Sequence, residues 1–303
     1  MIDISVIMPV YNAEKFLAEA IESILKQSFN NFEFIIINDG STDASEFIIK
    51  KFLSDNRIVF INRQDNKKLV YTLNEGIKKS SGRYIARMDA DDISFSERLE
   101  KQFLFLEENK NIQLIGTSYI SFNKTGINQI HTHPKSPVEI AYRFVSNTYF
   151  CHPSVMFRSE LLKEFGNYDN VEAEDFKFFS KIVSKYPCAN IMSPLLYYRE
   201  HDNNRSVTHK KELEFSVENN TRNNISIYFK SSKLQTIYYE YRLHINRNSK
   251  QILFSFILDI FVIFKICLKY RRVKYYLQGM YLIMKLLKNN SIMGVNKIKR
   301  LWN

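Results

Sequence analysis

Glycine is scarce in this chain. There are eight in 303 residues, and none stands within five positions of another. That excludes the G-x-G-x-x-G turn and the P-loop, which need clustered glycines to bring backbone N–H groups against phosphate. Cysteine is scarcer still. Cys151, Cys188 and Cys267 are odd in number and far apart. They form neither a CxxC pair nor a disulfide framework, which suits a reducing compartment. The start, MIDISVIMPVYN, lacks the basic and long apolar segments of a secretory signal. A cytoplasmic protein is expected.

Acidic residues are scarce in one region only. Residues 1–204 hold 24 Lys and Arg against 27 Asp and Glu, whereas residues 205–303 hold 19 against 5. The net charge of +11 therefore belongs to the C-terminal third. It points to an anionic partner, either a membrane face or nucleic acid.

What is present reads as a globular α/β protein. Apolar residues make up 45% and charged residues 25%. The length predicts one large domain with an appendage. The segments SVIMPV, FEFIIIN, RIVFIN and YIARM read as strands. Between them lie helical patterns: one after Asn12, its expected N-cap, one over residues 43–53, and YTLNEGIKK. Ser94 and Glu97 look like a capping box for a helix running to Glu108. Such alternation predicts a mainly parallel sheet flanked by helices, with ligands at the carboxyl ends of the strands. Polar clusters fall at those ends: Tyr11 and Asn12, Asn38 to Gly40, Arg63, and Asp89 to Asp92.

The stretch RMDADDI crowds three carboxylates into four positions. A divalent cation would make that crowding favourable. Hard carboxylate oxygens suit Mg²⁺ or Mn²⁺, which bridge to nucleotide phosphates. On an extended segment Asp89 and Asp91 point together and Asp92 points away. An acidic turn that merely caps the next helix fits the same letters.

Seven segments carry a family resemblance: SVIMPVYN, IIINDGSTD, LNEGI, GRYIARMDADD, HPSVMFR, AEDF and YREH, in that order. Over roughly residues 3–205 the chain resembles the family 2 glycosyltransferases. That resemblance implies the glycosyltransferase-A fold, a Rossmann-like sheet, and inverting transfer from a nucleotide sugar. It implies that Pro9 and Tyr11 shape the nucleobase pocket and that Asp39 accepts a hydrogen bond from the base. Arg63 and Lys68 become base or phosphate contacts. Asp89 contacts the ribose or the metal, Asp91 is the metal ligand, and His201 completes the metal or diphosphate site. Asp175 becomes the general base. Each has a plainer reading. Asp39 could make an Asx-turn, Tyr11 could be core, and His201 a surface histidine. Glu174 and Asp175 could simply suit a helix's first turn. Glu172 and Glu174 compete for the base role, and His152 either binds acceptor or packs.

The QxxRW signature of processive members is absent, as is their long multi-span region; the single tryptophan is Trp302. Transfer of one sugar follows, with residues 1–205 as the catalytic domain and 206–303 as a helical, basic and apolar extension. The run ILFSFILDIFVIFKICL, residues 252–268, is short for a span and carries Asp259 and Lys265. Gln251, Ser255 and Asp259 form a polar stripe at helical spacing. A helix lying at the interface or packed on the protein fits better, and nucleic acid would have no use for such apolar runs. The resemblance then implies a UDP-sugar donor, with galactose or glucose favoured. The acceptor would be an undecaprenyl-diphosphate-linked glycan, at the cytoplasmic face of the inner membrane. A GDP- or dTDP-sugar transferase, a nucleotidyltransferase and a non-catalytic membrane-attached sugar-nucleotide binder remain as alternatives.

Overall fold

The computed structural model describes residues 1–202, 204–242 and 249–299. Trp302 and the side chains of Gln251 and Ser255 lie outside the described residues. The strands are β1 (Ile4–Val10), β2 (Phe32–Asp39), β3 (Ile58–Arg63), β4 (Tyr84–Arg87), β5 (Ile93–Ser94), β6 (Leu114–Asn123), β7 (Gly126–His131), β8 (Met156–Arg158) and β9 (Ala189–Arg199). The first seven helices are α1 (Leu17–Leu25), α2 (Ser45–Lys50), α3 (Leu69–Lys79), α4 (Arg98–Glu108), α5 (Pro137–Arg143), α6 (Leu161–Phe165) and α7 (Glu174–Val183). Then come α8 (Arg205–Thr208), α9 (Lys210–Tyr228), α10 (Ser232–Arg242), α11 (Ser249–Tyr270) and α12 (Val273–Lys299).

One sheet runs in the order β3-β2-β1-β4-β8-β6-β9-β5, with β7 paired to β6. Strands β1 to β4 are mutually parallel, each crossover carrying a helix. Strands β1, β2 and β4 are covered on both faces and buried along almost their whole length, as their mainly apolar sequences require, whereas β3, at the sheet edge, has no buried residue. Val6, Met8 and Val10 turn to the side of α1, α2 and α4, while Ile7, Ile35 and Ile37 turn to α3 and the later helices. Beyond β4 the sheet reverses, because β8 pairs antiparallel to it.

Two local expectations fail. Asn12 does not cap α1. It sits at φ 49°, and its side-chain oxygen accepts from the Thr42 N–H at 2.8 Å. The turn into α1 is closed instead by the Ala13 carbonyl, which accepts from the N–H groups of Phe16 and Leu17 at 3.0 Å. Ser94 caps nothing either. It belongs to β5, and α4 starts at Arg98 without a side-chain cap. In both places a tertiary partner outbids the local hydrogen bond.

The helices after Arg199 join the core on the α3 side of the sheet, through Ile225, Tyr238, Val262 and Ile266 among others. Asp259 turns inward. It is 1% exposed and accepts from the Tyr238 hydroxyl at 2.7 Å and the Tyr241 hydroxyl at 3.1 Å. Among the described residues no helix is long and apolar enough to cross a membrane. Cys151, Cys188 and Cys267 are three separate buried thiols.

Candidate active site

The loops leaving β1 and β2 are laced side chain to backbone. Asn12 N–H donates to the Ser41 hydroxyl at 3.0 Å, and Ala13 N–H to the Ser45 hydroxyl at 2.9 Å. Glu14 N–H donates to Asp43 at 3.0 Å, while Ala44 N–H returns a bond to Glu14 at 2.9 Å. This fixes the rim on which Pro9 and Tyr11 stand. Tyr11 is half exposed at the end of β1.

Asp39 ends β2 and is buried. Its Oδ1 accepts from Arg63 at 2.7 Å and from the Lys67 N–H at 2.9 Å. Arg63 ends the neighbouring β3 and also pairs with Glu75 of α3. Gly40 follows at φ +70°, and a Cβ there would meet Asn66 N at 2.7 Å. That close approach is what lets the 65–67 loop reach Asp39. Lys68 is exposed at the start of α3, and it is the Lys67 N–H that meets Asp39.

The acidic segment leaves β4 and turns at once into β5. There Ile93 pairs with Tyr197 and Ser94 with Leu196 of β9. This register sets Asp91 and Asp92 beside the end of β9. Nε2 of His201 lies 2.9 Å from Asp91 Oδ2. Arg199 N–H donates to Asp92 Oδ1 at 2.8 Å, and its guanidinium to the Asp91 carbonyl at 2.8 Å. Asp89 is held by Arg87. Asp89 and Asp91 are partly exposed and Asp92 is buried, while ligand oxygens of all three converge on one place rather than Asp92 pointing away. Partial burial, offset in part by Arg87, and the Asp91 charge push the Asp89 carboxyl up to about 6. Asp92 is raised well above its ordinary value by burial and then by Asp91.

The fourth wall comes from α7. Ala173, at φ 51°, turns the chain into it. Asp175 is partly buried in the first turn, and its Oδ1 accepts from the Phe176 N–H at 2.7 Å. Glu174 is 4% exposed and 3.8 Å from His152 Nδ1, whose Nε2 lies 3.0 Å from the Tyr168 hydroxyl. His152 precedes β8, the antiparallel neighbour of β4, so it stands near the acidic turn. The Glu174 charge itself helps raise Asp89. Asp39, the acidic turn and the start of α7 thus share one edge of the sheet.

A family model described as Glycosyl transferase family 2 matches residues 5–166, over half of the chain. The chain belongs to glycosyl transferase family 2. It is 39% identical over 170 residues to EpsE of Bacillus subtilis, which carries a provisional glycosyltransferase name; the match spans 55% of this chain and 60% of EpsE. It is 32% identical over 208 residues to the O-antigen biosynthesis glycosyltransferase WbnJ of Escherichia coli, spanning 66% of this chain and 80% of WbnJ. In structure it resembles S. aureus TarS in complex with UDP-GlcNAc, with TM-score 0.63 and 18% identity over 89% of this chain and 84% of that one. That likeness establishes the glycosyltransferase-A fold.

The donor set of this glycosyltransferase fits a divalent cation. Ligand oxygens of Asp89, Asp91 and Asp92 lie within 4.8 Å of one another, and an imidazole faces Asp91. Asp92 Oδ2 is buried without a hydrogen-bond partner. Three carboxylates and one imidazole suit Mn²⁺ or Mg²⁺.

Three arginines escaped the sequence reading. Arg87 neutralises Asp89 from beneath. Arg199, next to His201, ties β9 to the acidic turn and stacks on Phe16 at 4.4 Å. Arg98 is fully buried, donating to the carbonyls of Arg87 at 3.1 Å and Pro153 at 2.6 Å. Burial pushes its guanidinium down to about 10. Arg87 alone carried a local signal, an arginine inside a strand pattern beside the acidic motif; the partners of Arg98 and Arg199 come together only on folding.

Proposed function

We propose that this transferase moves one hexose from a UDP-sugar, galactose or glucose, onto a glycan carried by a lipid diphosphate such as undecaprenyl diphosphate. The reaction inverts the anomeric centre and belongs to O-antigen or capsule synthesis at the cytoplasmic face of the inner membrane. Likeness to WbnJ supports the acceptor class, and likeness to a TarS–UDP-GlcNAc complex supports the uridine donor. We read residues 1–205 as the catalytic domain, 206–303 as the extension, and no nucleic acid as a partner.

In this reading Asp39 accepts a hydrogen bond from the base, and Pro9 and Tyr11 flank its ring. Arg63 pairs with the Asp39 carboxylate and holds it in place, and Lys68 is available to the phosphates. Asp89, Asp91 and His201 would hold Mn²⁺ or Mg²⁺, which when bound neutralises the diphosphate leaving group. Asp175 takes the proton of the acceptor hydroxyl as it attacks from the face opposite the diphosphate. No covalent intermediate is needed. The observation that carries the reading is the β5–β9 register, which sets His201 against Asp91 on the same sheet edge as Asp39.

The test is a melting screen of nucleotides with and without Mn²⁺, followed by transfer assays. UDP should raise the melting temperature only with the metal, and a UDP-hexose should be consumed. Stabilisation by GDP or dTDP alone would move the donor to those classes. Metal-dependent binding without any transfer would favour the non-catalytic binder.

A further inference from the structure

The α11–α12 hairpin carries an apolar face that nothing among the described residues covers. Inward, Val262, Ile263, Ile266, Tyr275 and Leu282 are buried. Outward, Phe264 and Leu268 of α11 and Leu277, Met280, Tyr281 and Met284 of α12 are each at least 46% exposed. Both helices rest on α5, so the faces turned away from α5 share one side of the hairpin. The α12 members repeat at three- and four-residue spacing and form a continuous ridge. Exposed apolar residues scattered singly are ordinary; a contiguous ridge marks an interaction surface.

Beside the ridge lies a groove of about 800 Å³, to which Lys185, Lys265, Lys269, Arg271 and Arg272 contribute and no carboxylate does. Lys185 pairs with Glu164, and Lys265 donates to the Tyr228 carbonyl at 3.0 Å. Lys269 and Arg271 have no acidic partner among the described residues. Leu268 belongs both to the ridge and to the groove wall, so the two features are continuous. After Asp259 the sequence contains ten Lys and Arg and neither Asp nor Glu.

We propose that the hairpin is a docking surface for an anionic lipid bilayer, with the ridge entering the acyl boundary and the basic groove receiving lipid phosphate headgroups. The charge pattern selects this occupant. A second copy of the chain would bring two cationic surfaces together, and a nucleic acid would leave the ridge in water. A helix pair with apolar and cationic sides, and with no span, matches interfacial binding to anionic lipid. The inference deepens the membrane part of the proposed function by naming the surface and the lipid charge.

Full-length protein is sedimented with vesicles of phosphatidylcholine alone and of phosphatidylcholine mixed with phosphatidylglycerol. The mixed vesicles should bind at least about tenfold more tightly. Lys269→Ser and Arg271→Ser should each weaken that binding about fivefold. Met280→Asp with Met284→Asp should abolish it, while the melting temperature, read in parallel, stays at the wild-type value because both side chains are exposed. Equal binding to both vesicle types, or binding that survives the paired Asp substitutions, overturns the proposal. So does concentration-dependent self-association that buries the ridge in place of lipid. The vesicles contain neither donor nor glycan, so failure here leaves the transferase reading standing, and failed transfer leaves this one standing.

Discussion

His201 meets Asp91 at 2.9 Å across 110 positions of sequence. The contact is built by the backbone. Two residues of β5 pair with β9, and Arg199 locks the turn from both sides. Asp91→Asn should therefore sharply reduce, without wholly removing, the Mn²⁺-dependent part of UDP stabilisation in a melting assay. His201→Ala should weaken Mn²⁺ about 10- to 100-fold, the usual cost of removing a group that orients or completes a metal site. The double variant should be no worse than Asp91→Asn alone, since the residues act as a unit. Additive losses would mean that His201 works elsewhere.

Asp175 and Glu174 are adjacent in sequence yet separable by experiment. Asp175 is partly exposed, whereas Glu174 is buried against His152. Asp175→Asn should leave UDP affinity unchanged and lower kcat by about 10²- to 10⁴-fold, the usual worth of a general base. Glu174→Ala should instead lower the melting temperature. Transfer that survives in Asp175→Asn would pass the base role to another carboxylate.

Local patterns carried the parallel half of the fold, and long-range pairing hid the rest. Strands β1 to β4 are mainly apolar runs with polar residues at their ends, so their order and polar ends could be read directly. Strand β5 is two residues long and exists only because β9 is beside it. Nothing local announces it, which is why Ser94 read as a helix cap. Asn12 misled for a related reason: its side chain serves the Thr42 loop. The acidic motif and His201 were visible as residue types, but Arg98 and Arg199 were not, because their partners are carbonyls and carboxylates brought in by folding. The run 252–268 read as an interfacial helix, with a packed helix as the plainer alternative. Its inner side packs on the protein, and its outer side remains apolar.

The inward turn of Asp259 gives α11 a pH signature. Burial raises its carboxyl above the ordinary 3.8, and Arg242, 4.0 Å away, offsets this only in part. For an acid whose folded pKa is raised, the contribution to stability is complete below 3.8 and is lost as pH climbs through the raised value. Asp259→Asn removes that loss. The melting temperature of wild type relative to Asp259→Asn should fall as pH rises from about 4 toward neutrality, where a flat difference would contradict the burial. Asp259→Ala is a different case. It strands the Tyr238 and Tyr241 hydroxyls and the Arg242 guanidinium, and should cost about 2–4 kcal/mol near pH 4, where the wild-type carboxyl is neutral.

The hairpin that presents the apolar ridge depends on one close approach. A Cβ at Gly279 of α12 would meet Cys267 Sγ of α11 at 2.5 Å and Ile263 Cγ2 at 3.2 Å. The sulfur belongs to a buried side chain in a packed helix, so it cannot swing aside freely. Gly279→Ala gains helix propensity of about 1 kcal/mol, yet it must push the helices apart. Gly279→Val adds two further methyl groups at the same contact. Overpacking of this kind costs about 1–3 kcal/mol. Gly279→Val should therefore lower the melting temperature, and Gly279→Ala should do so less. Pairing Gly279→Ala with Cys267→Ala relieves the contact and should recover the stability lost by the glycine change alone. If Gly279→Val melts like wild type, the two helices do not approach as closely as this packing requires, and the shared outer face of the hairpin goes with it.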